Sequence, residues 1–264
     1  MNQPLTHSGT SYVGDVLIIT ASVVAALTFL WVVTRTSAAP TRKESNDFTG
    51  AVVAVIGTTY AVILAFMLSG VWNMFQQAQA NEEQEANALT NIWRIAQQLP
   101  SPTSEQVRAL CLKYANDAVE KEWPALAADS RVPIETAQTV NQLWSVAGQT
   151  QASPGDNSIA VYQMMEELRM LTEYRRIRMM QAREGLPPIL WTVLIAGGII
   201  TVAASCFFGV QNFRFHVLQV LVLSFLIALV LVAIDDVDRP YQGVVRVQPE
   251  GFSFSLDTFN GKSY

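Results

Sequence analysis

Apolar residues in this chain gather into four long uncharged blocks separated by polar stretches. The first block runs 18 residues from Val16 to Val33, and the second runs 27 residues from Thr49 to Phe75. The third is uncharged from Leu186 to Phe213, and the fourth covers 18 residues from Val217 to Ile234. A hydrocarbon core of ~30 Å is crossed by roughly 17–25 helical residues, so each block is long enough to span a bilayer. The pattern predicts membrane helices over about 16–33, 49–75, 187–209 and 217–234. A soluble alternative would need four buried helices that are apolar all round. The first block is longer than a signal-peptide core of about 7–15 residues, and no Lys or Arg precedes it, so it reads as a retained helix.

Between the second and third blocks the period changes to that of amphipathic helices. No Pro or Gly occurs between Phe75 and Pro100, and Leu89, Ile92, Trp93, Ala96 and Leu99 recur at helical spacing. The second span is therefore expected to continue beyond the membrane, 24 further residues projecting roughly 36 Å. Thr103 and Gln106 have capping-box spacing and open a helix with the stripe Val107, Leu110, Cys111, Tyr114 and Ala118, expected to stop at Pro124. A further helix is expected from about Pro133 to Ala147, with Ala137, Val140, Trp144 and Ala147 inward. The residues 153–157 then form a turn, and Ser158 to Glu184 carries Val161, Met164, Met165, Leu168 and Leu171 into the third span. Gly185, Pro187 and Pro188 mark the water boundary. After the fourth span, Phe252 to Leu256 alternates like a short strand or interfacial segment.

The expected fold is thus an all-α integral membrane protein. Four transmembrane helices carry a four-helix soluble bundle, made from extensions of helices 2 and 3 plus a helical hairpin. The implied divisions are an N-terminal membrane region (1–75), a soluble domain (76–186), a C-terminal membrane region (187–239) and a tail (240–264). Four crossings put the soluble domain and both termini on one face, and the short loops at about 34–47 and 209–216 on the other. Arg35, Arg42 and Lys43 favour the first loop inside. Arg169, Arg175, Arg176, Arg178, Arg183, Arg239 and Arg246 favour the soluble domain on the cytoplasmic face, as in a bacterial inner membrane protein, and this is the reading adopted.

Composition then narrows the function. Half the residues are hydrophobic and 15% are charged, a membrane composition. The net charge of −5 argues against nucleic acid as a partner. The two cysteines, Cys111 and Cys206, lie in different regions, so no disulfide or CxxC metal site is expected. There is no phosphate-binding glycine loop, HExxH or GxSxG, and the two histidines, His7 and His216, fall on opposite faces, so no enzyme is expected. The span interiors carry no ionisable residue, which favours passive conduction or a structural role over proton-coupled transport.

Small residues recur every four positions at Gly57, Ala61, Ala65 and Ser69, and again at Gly197, Thr201 and Ser205. Such stripes let helices approach closely in lipid. The functional alternative is a narrow pore along the second span, with Thr58, Ala61, Ala65, Phe66 and Ser69 as lining candidates, since apolar constrictions gate by dewetting. Charges gather where spans meet the domain: Glu82, Glu83 and Glu85; the arginine run; and Asp235, Asp236 and Asp238. A solvated salt-bridge network is one reading. The others are a pore-mouth band of Arg175 and Arg178 that concentrates anions, and a cation site on the three aspartates, calcium being the candidate. No other cofactor is indicated.

With these residues placed, the chain resembles the bestrophin-like domain family, a group distantly linked to bestrophin anion channels. The resemblance rests on Trp72 with Glu82 to Leu89, on Tyr114 with Glu122 and Trp123, and on the Arg175-to-Arg178 run before Leu186 to Trp191. It rests also on Asp238 to Gly243. It implies a homo-oligomer, pentameric by analogy, whose pore is lined by the second membrane helix and passes small anions through apolar constrictions. It also implies an acidic calcium clasp near Asp235 to Asp238. The second span lacks a pair of bulky pore phenylalanines, and its acidic run precedes Arg239-Pro240, both departures from the bestrophin pattern. A non-conducting scaffold or sensor whose bundle binds a partner is the alternative.

Overall fold

The computed structural model describes residues 8–36, 46–129, 132–151, 158–210 and 212–262. These residues are helical, without a strand. The expected turn at 153–157, the basic residues Arg42 and Lys43, and His7 lie outside the described residues. Two compact units form, one from Met1–Asn73 with Gly185–Asp238 and the other from Met74–Glu184 with Arg239–Tyr264.

The membrane unit holds α1 (Ser8–Thr36), the first part of α2 (Asn46–Ala96), α7 (Pro188–Cys206) and α8 (Phe213–Asp238). All four helices are long and apolar enough to cross a bilayer. Only the stretch of α2 up to Phe75 is apolar; from Gln76 onward its residues are those of an amphipathic helix. The helix is unbroken because nothing between Gly70 and Pro100 removes a backbone donor or exposes the chain. Within this unit α1 packs along α8, and Ala26, Leu30, Cys206 and Val220 form a small buried cluster. Tyr60 of α2 lies across the Gly197–Gly198 pair of α7. A Cβ built at Gly197 would sit 2.5 Å from the Tyr60 ring, and the Tyr60 hydroxyl donates to the Leu194 carbonyl at 2.8 Å. Asn46 pairs with Gly209 in both directions, at 3.0 and 2.8 Å, joining the ends of the two short loops.

The polar unit holds the rest of α2, α3 (Thr103–Asp117), a π-helical turn (Ala118–Glu122), α4 (Trp123–Ala127), α5 (Glu135–Gln151), α6 (Ser158–Gln181) and α9 (Glu250–Phe259). The expected stripes meet in its core: Leu89, Ile92, Ala96, Val107, Cys111, Tyr114, Val140, Ala147, Met164, Leu168 and Leu171 are all buried. Burying an aliphatic or aromatic side chain of this kind contributes about 1.5–3 kcal/mol.

Several local expectations are corrected. Thr103 begins α3 without a side-chain cap, so the capping box does not form. Pro124 does not end the helix. Proline clashes with the carbonyl four residues back, and the π turn just upstream widens the backbone where that clash would fall. On α5 the buried line is Thr136, Thr139, Val140, Leu143, Val146 and Ala147, while Trp144 sits at its flank and donates Nε1–H to the Thr172 hydroxyl at 3.1 Å. The short strand or interfacial segment expected at Phe252 to Leu256 is part of helix α9, and the tail belongs to the polar unit, with Phe252 fully buried. Phe252, Leu256 and Phe259 recur at helical spacing; the intervening serines and Phe254 mimic alternation.

Candidate functional site

The pore candidates share a definite geometry in the membrane unit. At 3.6 residues per turn, Thr58, Ala61, Ala65 and Ser69 fall on one side of α2, with Phe66 at its flank. All five are exposed, Phe66 at 70%, whereas Tyr60, Leu64 and Val71 on the opposite side are buried against the rest of the unit. Gly57 lies at the edge of this side and is half-buried, with no atom within 4 Å of a built Cβ. The two small-residue stripes therefore do different things. The α7 stripe is a contact inside the chain, made by Tyr60 on Gly197, with the Thr201 hydroxyl donating to the Gly197 carbonyl at 2.7 Å. The α2 stripe faces away from the chain. Along it the small side chains and the hydroxyls of Thr58 and Ser69 are uncovered, between exposed larger apolar side chains that include Val55, Val62, Leu68 and Trp72.

The charged candidates are placed otherwise than expected. Arg178 is not an exposed pore-mouth charge: its side chain has no solvent exposure. Its Nε and Nη2 donate to Glu85 at 2.7 and 2.9 Å, and Nη2 also donates to Glu122 at 2.7 Å. Arg175 donates to the other Glu122 oxygen, and the Tyr114 hydroxyl donates to Glu85 at 2.6 Å. The guanidinium lies 4.4 Å from the Trp123 ring centroid, a cation–π contact. Two arginines and two glutamates leave this cluster formally neutral. Burial opposes the Arg178 charge, but Glu85 and Glu122 outweigh it and hold the guanidinium well above its ordinary value. Burial likewise pushes Glu122 up, and Arg178 and Arg175 reverse this, so its carboxyl sits below the ordinary value. A solvated network is thus replaced by a dry one. Its partners on α2 and in the π turn are separated from α6 by 93 and 56 residues, a pairing that no local spacing encodes.

The three aspartates do not assemble into a ligand set. Asp235 is exposed, Asp236 half-buried and Asp238 buried. Asp238 Oδ1 accepts the Leu186 N–H at 2.6 Å and Oδ2 accepts the Trp191 indole N–H at 3.4 Å. A Cβ at Gly185 would come within 3.2 Å of the same carboxylate. Asp238 is therefore a backbone clamp on the segment entering α7. Among the described residues no group of three His, Cys, Asp or Glu side chains is placed to hold a metal ion.

The sequence matches the Bestrophin-like domain family over residues 20–252. No curated protein matches it. Among solved structures, a bacterial Bestrophin homolog from Klebsiella pneumoniae aligns with a TM-score of 0.68 at 13% identity, covering 94% of this chain and 99% of that one. A variant of the same homolog aligns with a TM-score of 0.69 at 12% identity, covering 94% and 98%. At these identities the likeness establishes the fold, and the four long apolar helices support an integral membrane protein.

Proposed function

Since this chain belongs to the Bestrophin-like family, we propose that it is a passive ion channel assembled from several copies of itself and selective for small anions. The observation that carries this reading is the uncovered face of α2. A lipid-exposed helix gains nothing from a face of small residues and hydroxyls, whereas a ring of such faces makes a narrow path. Five copies, as the resemblance to bestrophins suggests, would line the path with Thr58, Ala61, Ala65 and Ser69 and narrow it at Phe66.

Anion preference is not assigned to Arg175 and Arg178, because their charges are neutralised by Glu85 and Glu122. It draws instead on hydroxyl donors facing a path that carries no carboxylate between Phe48 and Asn81. The proposed orientation puts the polar unit in the cytoplasm of a bacterial cell, on the excess of Lys and Arg flanking that side.

Planar-bilayer recording of the purified full-length oligomer tests this. Wild type is expected to pass chloride, and Phe66→Ala to raise conductance at every salt concentration. Protein that passes neither chloride nor potassium, with calcium present or chelated, removes the channel and leaves a membrane scaffold or sensor in its place.

A further inference from the structure

In the polar unit, Glu82, Ala86 and Thr90 lie one turn apart on a single face of α2, and α9 is laid against them. Gly251 is pressed so close that a Cβ there would sit 2.9 Å from the Ala86 methyl and 3.1 Å from both Glu82 oxygens. The Phe252 N–H donates to Glu82 Oε1 at 3.2 Å. Ser255 shares a hydrogen bond of 2.8 Å with Thr90, and Phe252 is buried beside Tyr114 and Trp123. Glu82 itself is fully buried, and its Oε2 has no hydrogen-bond partner among the described residues.

We propose that Glu82 is a proton-binding site that fastens the C-terminal helix α9 to α2, so that the helix is held when the carboxyl is protonated and released when it ionises. A buried carboxylate is stable only when cations or several donors offset its desolvation. The charged neighbours do not supply this. From α2 come Glu83 and Glu85, both acidic. From the segment before α9 comes Arg246, and from α9 comes Glu250; both are exposed and line the small cavity that Glu82 also lines. From α6 comes Arg178, whose charge is taken up by Glu85 and Glu122. From α3 comes Tyr114, already donating to Glu85, and from the segment before α9 comes the buried Tyr241, whose hydroxyl donates to the Ala78 carbonyl at 3.4 Å; neither offers a positive charge.

Only backbone N–H groups at the start of α9 favour the ionised form. Burial first, with the charges of Glu85 and Glu83, outweighs the Phe252 N–H bond and the weaker pull of the nearby Gly251 N–H, which lies outside hydrogen-bond geometry, and raises the Glu82 carboxyl from 4.5 to about 7. A group whose value is raised in the docked state favours docking at low pH. That contribution is complete below about 4.5 and is lost as pH rises through about 7.

Hydrogen-exchange protection of the α9 amides in the detergent-solubilised full-length protein, corrected for intrinsic exchange, tests the latch. In wild type it is expected to fall by roughly 30-fold between pH 5.5 and 8, the linkage for such a shift. Glu82→Gln keeps an acceptor for the Phe252 N–H without the charge, and should hold α9 protected across the range. Glu83→Gln, an exposed neighbour, should keep the transition and move its midpoint down. Three results would overturn the latch: pH-independent protection in wild type, a transition that persists in Glu82→Gln, or one shared by the amides of α5. Should Glu82→Gln not fold, an unmoved midpoint in Glu83→Gln overturns it alone.

Discussion

Inside each of the two units the chain is held by opposite means. In the membrane unit large apolar side chains such as Leu17, Phe66, Ile189 and Ile199 are exposed, and few are buried. Its internal order comes from close approach at Gly197, from the Tyr60 and Asn46 hydrogen bonds and from the Asp238 clamp. In the polar unit the apolar side chains are drawn into one core, and a charged network lies dry beside it. Lipid makes apolar exposure free, so packing there is decided by fit and polar contacts. Water makes it costly, so burial decides, and charges caught in the core must be paired.

The comparison breaks most decisively at Arg178. Arg178→Ala leaves Glu85 without its guanidinium and should destabilise the polar unit by about 3–5 kcal/mol, the usual cost of removing one partner of a buried pair. Thermal unfolding in detergent, followed by Trp fluorescence, should show early loss of the polar unit. A melting curve like wild type's would mean that the cluster is not held as described.

Acid attacks the same network. Glu122 sits below its ordinary value in the folded protein, so its contribution is present above the unfolded value of about 4.5 and is lost as pH falls through the lower folded one. Melting temperature should therefore drop on acidification below pH 4.5, and Glu122→Gln should blunt that drop. An identical acid profile in both proteins would remove Glu122 from the account.

A smaller effect sharpens the membrane side. Gly197→Ala drives a methyl into the Tyr60 ring and should cost about 1–3 kcal/mol, the typical range for overpacking. At Gly57 a Cβ meets no atom of its own chain within 4 Å, so Gly57→Leu should change single-chain stability by no more than about 0.5 kcal/mol, yet lower the oligomer mass measured by light scattering. If Gly57→Leu keeps the wild-type oligomer mass, the open face of α2 is not a contact between copies.

Much of the fold was legible in one dimension. The four apolar blocks announced the spans, and the stripes at Leu89 to Ala96, Val107 to Ala118 and Val161 to Leu171 announced the bundle helices. Local rules failed where tertiary contacts override them. Pro124 is absorbed by a π turn. Phe252 is recruited into the bundle core, and a two-residue alternation around it hid a helical period. At the candidate site the small-residue stripe of the second span could be read, but not that it faces away from the rest of its chain, because every side of an uncharged span looks alike in composition.

The sequence by itself determined that this is a four-span helical membrane protein with a helical domain between the second and third spans, since the length and polarity of each segment fix its solvent. Only the tertiary structure decided what the charges do. Arg178 meets Glu85 and Glu122 across 93 and 56 residues, Asp238 turns to the Leu186 amide, and Glu82 is sealed under the start of α9. The energy of a charge depends on burial and on its nearest partners, and both are set by segments far away in the chain.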